Sequence, residues 1–333
     1  MSEFFLVFTL AIGLGWPLGH YLAAVMRGAP MYGDFLFLRL ERYLYLLIGT
    51  NPVYGMSWRG YAGAFVLSNL VLAGAVWLLL TNQSWLPLNP NNAPDMSWNL
   101  ALHTMVSFLT NTNQQHYSGQ AQLSILAQMM GIVTLQIITP MMGLAVATAT
   151  LRGFFGGRNA QARTTDGQAQ MPVDIGNYWA DVIRPTLRFM LPLCLVWSML
   201  LTSQGVPATL EGGPVIAPVD TTVEMKAQKI PLGPISPMVA IKQLGTNGGG
   251  WYGPNGTVPL ENPTPLSNLL ETLALILIPV SVVFMISPFT GRCKFSALIF
   301  GTMLTMSLVS AILAILSEGH SATAQDIALM EGK

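Results

Sequence analysis

The sequence predicts an all-α integral membrane protein built from channel-like repeats of span, re-entrant half-helix, polar loop and span. Three observations favour this fold class. Hydrophobic residues make up 52% of the 333-residue chain, and charged residues only 9%, against roughly a quarter in an ordinary soluble domain. Apolar stretches of about 20 residues, long enough to cross a bilayer, recur along the chain. The 15 basic and 15 acidic residues cancel, so no net field favours binding to nucleic acid.

Six stretches are long and apolar enough to be predicted as spans. They are Phe4–Met26, Tyr61–Thr81, Leu123–Thr150, Phe189–Gln204, Leu266–Ser287 and Phe295–Ser317, of which the fourth is the shortest. Because the acidic Met1-Ser2-Glu3 precedes the first stretch and the first basic residue follows it, we expect a retained span rather than a cleaved signal peptide.

Two further segments look helical but are too short to cross a bilayer. Ser97–Thr110 and Pro237–Leu244 each follow a Pro- and Asn-rich connection and run into a polar or glycine-rich stretch. Short helices that end in polar loops at membrane depth are typical of re-entrant segments. We therefore predict two half-helices.

The basic residues predict the orientation, because cytoplasmic loops are enriched in Lys and Arg. Eleven of the 15 fall in the links after the first, third and fifth spans, which we assign to the cytoplasm. The half-helices then enter from outside, and the N-terminus is also outside. The eleven are Arg27, Arg39, Arg42, Arg59, Arg152, Arg158, Arg163, Arg184, Arg188, Arg292 and Lys294.

An internal repeat organises the chain, since the order span, connection, half-helix, polar loop, span occurs twice. We expect an extra N-terminal helix and cytoplasmic link at 1–60, a first repeat at 61–151 and a cytoplasmic link at 152–188. A second repeat follows at 189–288. The opening helix of a third repeat and an extracellular tail occupy 289–333.

The two polar loops, Thr110–Gly119 and Leu244–Gly253, can be aligned in two ways. The preferred register pairs Thr112-Asn113 with Thr246-Asn247, Tyr117 with Trp251 and Gly119 with Gly253. The alternative pairs Thr110-Asn111 with Thr246-Asn247 and loses the aromatic and glycine matches.

Loops of this composition suit a dehydrated cation. Potassium channels replace the hydration shell of the ion with rings of backbone carbonyls, and glycines such as Gly248–Gly250 tolerate the backbone angles that turn successive carbonyls to one side. The negative end of a helix dipole also favours a cation. A phosphate-binding loop is disfavoured because neither stretch is followed by Lys and Ser or Thr.

Other polar residues have ordinary interpretations as well as functional ones. His116 could be a pH sensor or metal ligand, but a hydrogen bond to a neighbour is favoured. Lys242 could repel competing cations, but a side chain that reaches solvent is favoured. Asp181, Arg184 and Arg188 have helical spacing, and a solvated surface cluster is favoured over a docking face.

At these loops the sequence resembles the potassium-binding A subunit of the Kdp-type potassium-transporting ATPases. The resemblance covers nearly the whole chain, and the second loop with Glu261-Asn-Pro-Thr264 is its most specific part. The matching motifs are Arg59-Gly-Tyr-Ala62, Leu86-Pro-Leu-Asn-Pro90, Val106-Ser-Phe-Leu-Thr-Asn-Thr-Asn113, Tyr117-Ser-Gly119, Ala240-Ile-Lys-Gln-Leu-Gly-Thr-Asn-Gly-Gly-Gly250, Glu261-Asn-Pro-Thr264 and Met330-Glu-Gly-Lys333.

The resemblance implies a subunit of the potassium-transporter superfamily, in which four half-helix repeats surround one selectivity filter for the transported K⁺, with no organic cofactor. It implies a bacterial inner membrane and three partners: a P-type ATPase B subunit that hydrolyses ATP, a C subunit and a small single-span F peptide. Gln115 matches a filter glutamine of the family. The residues that would line the filter are Thr112, Asn113, Gln114, Gln115, Thr246, Asn247, Gly248, Gly249 and Gly250.

One departure from the family concerns length. Family members continue past the motif at Met330–Lys333 into two more repeats, so we hypothesise a truncated or split subunit that awaits its other half, pairs with another copy or cannot conduct. The alternative function is a non-conducting scaffold or assembly subunit of the same complex.

Overall fold

A computed structural model describes residues 2–112, 114–161, 174–219, 226–256 and 258–319. Within them, six helices are long and apolar enough to cross a membrane, which confirms the predicted all-α, multi-pass membrane fold. Spans 1 to 6 are Ser2–Arg27; Trp58–Thr81; Ala127–Val133 continuing as Thr134–Gln161; Tyr178–Pro185 continuing through Thr186–Met190 into Leu191–Ser203; Pro265–Thr290; and Cys293–Gly319.

Both predicted half-helices are also present. Half-helix 1 is Trp98–Leu109 and half-helix 2 is Ile235–Leu244. One helix was not predicted from the sequence: Asp34–Ile48, between spans 1 and 2, which we call the link helix. The remaining elements are short: helical turns at Gln83–Trp85, Gly119–Gln122 and Pro254–Gly256, and an antiparallel strand pair, Val215–Ile216 with Gln228–Lys229, in the connection before half-helix 2.

Span 1 packs along span 5 through two glycines one helical turn apart. A Cβ atom at Gly15 would lie 2.8 Å from Cγ1 of Val280, and one at Gly19 would lie 2.5 Å from the carbonyl oxygen of Ser281. Small residues at this spacing let two helix backbones approach closely inside a membrane. The helix ahead of the first repeat is therefore fixed to the last helix of the second.

A buried polar network joins spans 2, 3 and 4 at the end where the arginine-rich links lie. Arg152 donates to both carboxylate oxygens of Asp181, at 2.5 and 2.9 Å, and Tyr61 donates to the same carboxylate at 3.0 Å. Arg188 forms ion pairs with Asp34, at 2.6 Å, and with Glu41 of the link helix.

The expected surface cluster at Asp181, Arg184 and Arg188 is therefore wrong, because Asp181 and Arg188 are buried and Arg184 is half-buried. Their partners, Arg152 and the link helix, are distant in sequence and cannot be read from local spacing. Because these charges are paired, they do not end the helix, and span 4 begins at Tyr178 rather than at Phe189.

Spans 4 and 5 both contact half-helix 2. Ser236, in its first turn, donates to the carbonyl of Ser198 at 2.7 Å and accepts from the hydroxyl of Thr202 at 2.9 Å. Pro265 starts span 5 behind a capping box between Thr264 and Ser267, which matches a preferred helix start. Gln243 of half-helix 2 also donates to the carboxylate of Glu271 in span 5, at 2.6 Å, so both spans position the polar loop that follows half-helix 2.

Candidate functional site

Both half-helices end with the same backbone geometry, and this sets the true correspondence of the loops. Asn111 and Thr246 have positive φ angles of 56° and 57°. The backbone N–H of Asn111 donates to the carbonyl oxygen of Phe108, and that of Thr246 donates to the carbonyl oxygen of Gln243. In both cases the acceptor lies three residues earlier in the chain. Asn111 therefore corresponds to Thr246.

Both registers considered from the sequence are consequently wrong by one residue. The repeated Thr-Asn letters favoured pairing Thr112 or Thr110 with Thr246, whereas the end of each half-helix fixes the geometry. In the corrected register Gln115 corresponds to Gly250, and Ser107 on half-helix 1 corresponds to Lys242 on half-helix 2.

The two loops are joined by hydrogen bonds at these positions. The side-chain amide of Gln115 accepts from the N–H of Gly250 at 3.0 Å and donates to its carbonyl at 3.1 Å. Nearer the half-helix ends, Nδ2 of Asn111 donates to the carbonyl of Gly245 at 3.0 Å. The predicted filter residues at 115 and 250 are thus in direct contact, and the two repeats meet at this point.

Gln136 of span 3 supports the second loop, although it was not among the residues predicted from the sequence. Its Nε2 donates to the carbonyl of Gly249 at 2.6 Å and to Oδ1 of Asn247 at 3.2 Å. That same Oδ1 accepts from the N–H of Gly249 at 3.0 Å. Gln136 is fully buried. A side-chain amide inside an otherwise apolar span is the signal that could have found it, since intramembrane polar residues are usually functional.

The three consecutive glycines of the second loop, Gly248–Gly250, each have a structural reason for lacking a side chain. Gly248 has a φ of 82°, which side chains rarely adopt. A Cβ atom at Gly249 would lie 2.5 Å from the ring of Phe108, and one at Gly250 would lie 2.7 Å from Oε1 of Glu261. The run of glycines therefore satisfies one backbone angle and two close packing contacts.

A buried ion pair lies behind this loop. Nζ of Lys242 is 3.2 Å from Oε2 of Glu261, and both side chains are 0% exposed. Oε1 of Glu261 accepts from the N–H of Trp251 at 2.7 Å. Burial, followed by the negative charge of Glu261, raises the pKa of the nearby Tyr252 hydroxyl. The expectation that Lys242 reaches solvent is wrong, because Glu261, nineteen residues later, neutralises it inside the protein.

The first loop is held by a hydroxyl group instead of a charge. Oγ of Ser107 lies 2.8 Å from the carbonyl oxygen of Thr112 and 2.7 Å from that of Gln114. Thr112 and Gln114 are exposed, and Asn113 lies outside the described residues. His116 is exposed too, with its ring 4.5 Å from that of His103.

The arrangement supplies neutral oxygen atoms rather than metal-binding side chains. Within the part of the chain that the structure describes, no group of three or more His, Cys, Asp and Glu residues could hold a metal ion. The carbonyls of Gly249 and Gly250 each accept a side-chain hydrogen bond, and a carbonyl oxygen has a second lone pair for another partner. Such oxygens suit a weakly hydrated monovalent cation.

Comparison with known proteins gives a consistent result. Residues 5–333 match the family model described as potassium-transporting ATPase A subunit. A relative from Caldanaerobacter subterraneus is 35% identical over 99% of this chain and 56% of its own length. Relatives from Desulfovibrio desulfuricans and Pseudomonas aeruginosa are 39% and 40% identical over 92% and 90% of this chain and 51% and 50% of their own lengths.

All three relatives are named potassium-transporting ATPase potassium-binding subunit. The chain spans about half the length of the curated relatives that it matches.

Proposed function

This chain belongs to the potassium-transporting ATPase A subunit family, and from that membership we propose that it binds extracellular K⁺ for an ATP-driven uptake complex. The ion is the transported substrate. It binds to backbone oxygens of the loops at 112–115 and 246–250. The observation that carries the proposal is the double hydrogen bond between Gln115 and Gly250, which fixes the two loops against each other.

Holding the loops together matters because K⁺ must exchange its water for several oxygens at once. Loops that moved independently would lose conformational entropy when the ion binds, and this loss would weaken the binding. The bonds from Gln136 to Gly249 and from Asn111 to Gly245 add to this preorganisation.

The electrostatics also favour a cation. Each half-helix ends at its loop, and a helix C-terminus carries partial negative charge. The one cation of half-helix 2, Lys242, is neutralised by Glu261 and faces away from solvent. The charge that could repel K⁺ is therefore compensated.

The partners follow from family membership and are part of the proposal. A P-type ATPase B subunit hydrolyses ATP, and a C subunit and a small single-span F peptide complete the complex in the bacterial inner membrane. In this arrangement the N-terminus lies outside, and the loops of this chain provide two of four filter segments.

A thermal-stability titration tests K⁺ binding by the purified chain. A ligand that binds only the folded protein stabilises it by about 2.7 kcal/mol at 100 times its dissociation constant. We expect KCl to raise the unfolding midpoint more than NaCl at equal ionic strength. Gln115→Leu abolishes this difference, whereas the exposed control Lys229→Gln retains it. Equal midpoints in both salts for the wild type would contradict binding by this chain and favour the scaffold function.

A further inference from the structure

The link helix has one face directed into the protein. Glu41 and Tyr45 are buried, and Arg188 of span 4 pairs with both acidic residues of the helix, Asp34 and Glu41. Tyr45 packs against Ala180 and Ile183 at the start of span 4. These contacts fix the rotation of the link helix about its own axis.

The opposite face is exposed and largely apolar. Phe35 is 85% exposed, Leu46 71% and Leu47 83%. Leu36 and Tyr43 are exposed on the same side. An apolar patch of this kind on a short helix marks an interaction surface.

Charge complementarity identifies the partner. Arg188 neutralises the acidic side chains of the helix, and the cations Arg39 and Arg42 remain exposed on its outer side. An outer face of leucines and aromatic rings with two arginines fits a surface that is both apolar and anionic. Helices of this pattern lie in the headgroup region of membranes.

The flanking chain supports this location. Tyr32, Tyr54 and Trp58 are all exposed, and the guanidinium carbon of Arg59 lies 5.3 Å from the centre of the Trp58 ring. Exposed Tyr and Trp are enriched where a bilayer meets water. Span 1 ends at Arg27 and span 2 begins at Trp58, so the helix is tethered to the bilayer on both sides.

We propose that residues 32–58 form a segment that lies at the membrane–water interface and binds anionic phospholipid headgroups. The link helix lies in the cytoplasmic leaflet with its leucines and Phe35 among the upper acyl chains. Arg39 and Arg42 pair with lipid phosphates. This site is separate from the ion-binding loops and does not depend on K⁺ binding.

Depth-dependent quenching tests the position of the helix. The full chain carrying Cys194→Ala and Cys293→Ser receives a single fluorescent label through Leu47→Cys and is placed in vesicles. The reference labels are Leu67→Cys, exposed on span 2, and Leu210→Cys, exposed in the connection before half-helix 2. Lipids that carry the nitroxide group at acyl carbon 5 should quench the Leu47 label more strongly than lipids that carry it at carbon 12. Neither lipid should quench the Leu210 label.

Two results would overturn the location. If aqueous iodide quenched the Leu47 label as strongly as the Leu210 label and nitroxide lipids did not, the helix would lie in water. If neither quencher reached it, a protein surface such as a second copy would cover it. Quenching of the Leu67 label shows in every case that the chain is inserted.

Lipid competition tests the charge selectivity. Brominated phosphatidylglycerol and brominated phosphatidylcholine compete to quench the same Leu47 label. A basic residue at an anionic surface contributes about fivefold in affinity, so we expect a clear preference for phosphatidylglycerol. Arg39→Gln with Arg42→Gln should remove that preference, whereas Lys294→Gln, exposed on the same predicted side, should retain it. A preference unchanged in the double variant would refute the assigned phosphate ligands.

Discussion

Ser107 and Lys242 occupy the same position in the two half-helices, and each supports the loop that follows. Ser107 does so directly, through its hydroxyl and the backbone of Thr112 and Gln114. Lys242 acts through Glu261, which in turn accepts from the backbone of Trp251. One repeat thus uses a neutral contact where the other uses a fully buried ion pair.

The two half-helices also differ in how deeply they are buried. Every residue of half-helix 2 except Pro237 is buried, whereas half-helix 1 exposes Leu102, His103 and Val106 on one side. A groove on that side extends to Thr112 and Gln114. The second loop is therefore shaped from within this chain, and the first depends on the second through the bonds between Gln115 and Gly250.

The largest expected effect comes from removing one partner of the ion pair. Glu261→Gln leaves Lys242 buried without its counter-charge, which costs about 3–5 kcal/mol. We expect a large loss of stability in a denaturant titration and loss of K⁺-dependent stabilisation. The double variant Lys242→Met with Glu261→Gln should regain most of the stability, because both members of the ion pair are then uncharged. Equal stability of the single and double variants would contradict the role of the pair.

A smaller effect is expected where the second loop packs on half-helix 1. Gly249→Ala places a methyl group against the ring of Phe108, which a Cβ atom would approach to 2.5 Å. Overpacking of this kind costs about 1–3 kcal/mol. We expect the difference between the KCl and NaCl unfolding midpoints to shrink, and Phe108→Leu in the same chain to restore part of it. No rescue would show that the ring does not set the loop position.

The smallest effect should follow from Ser107→Ala. It removes the hydroxyl contacts to two carbonyls of the first loop, and a net hydrogen bond contributes about 1 kcal/mol. The unfolding free energy should fall by about that amount, and the second loop should keep its geometry. Ser203→Ala, an exposed serine bonded to Leu200, is the matched control. If Ser107→Ala lowered the unfolding free energy as much as Glu261→Gln does, the proposed difference between the two repeats would be contradicted.

The sequence was sufficient to locate the half-helices and the spans, apart from the start of span 4, because apolar length and Pro- or Asn-rich breaks are local signals. It failed where geometry or distant partners decide. The register was one residue out because the half-helix ends, and not the repeated Thr-Asn letters, fix the correspondence. Lys242 and Arg188 were misplaced because their partners, Glu261 and the link helix, are not adjacent in the chain. The role of Gln136 depends on a contact with Gly249 that no sequence pattern shows.

We propose that the backbone at Gly250, held by Gln115 and Glu261, is part of a K⁺ site. Labelling glycine carbonyls with ¹³C and tryptophan nitrogens with ¹⁵N selects two peptide bonds, Gly15-Trp16 in span 1 and Gly250-Trp251 in the second loop. Solid-state NMR of the chain in lipid vesicles then reports on both at once. We predict that exchanging Na⁺ for K⁺ shifts the Gly250 carbonyl signal and leaves the Gly15 signal in place. A Gly250 signal that is identical in the two salts would contradict K⁺ binding at this carbonyl.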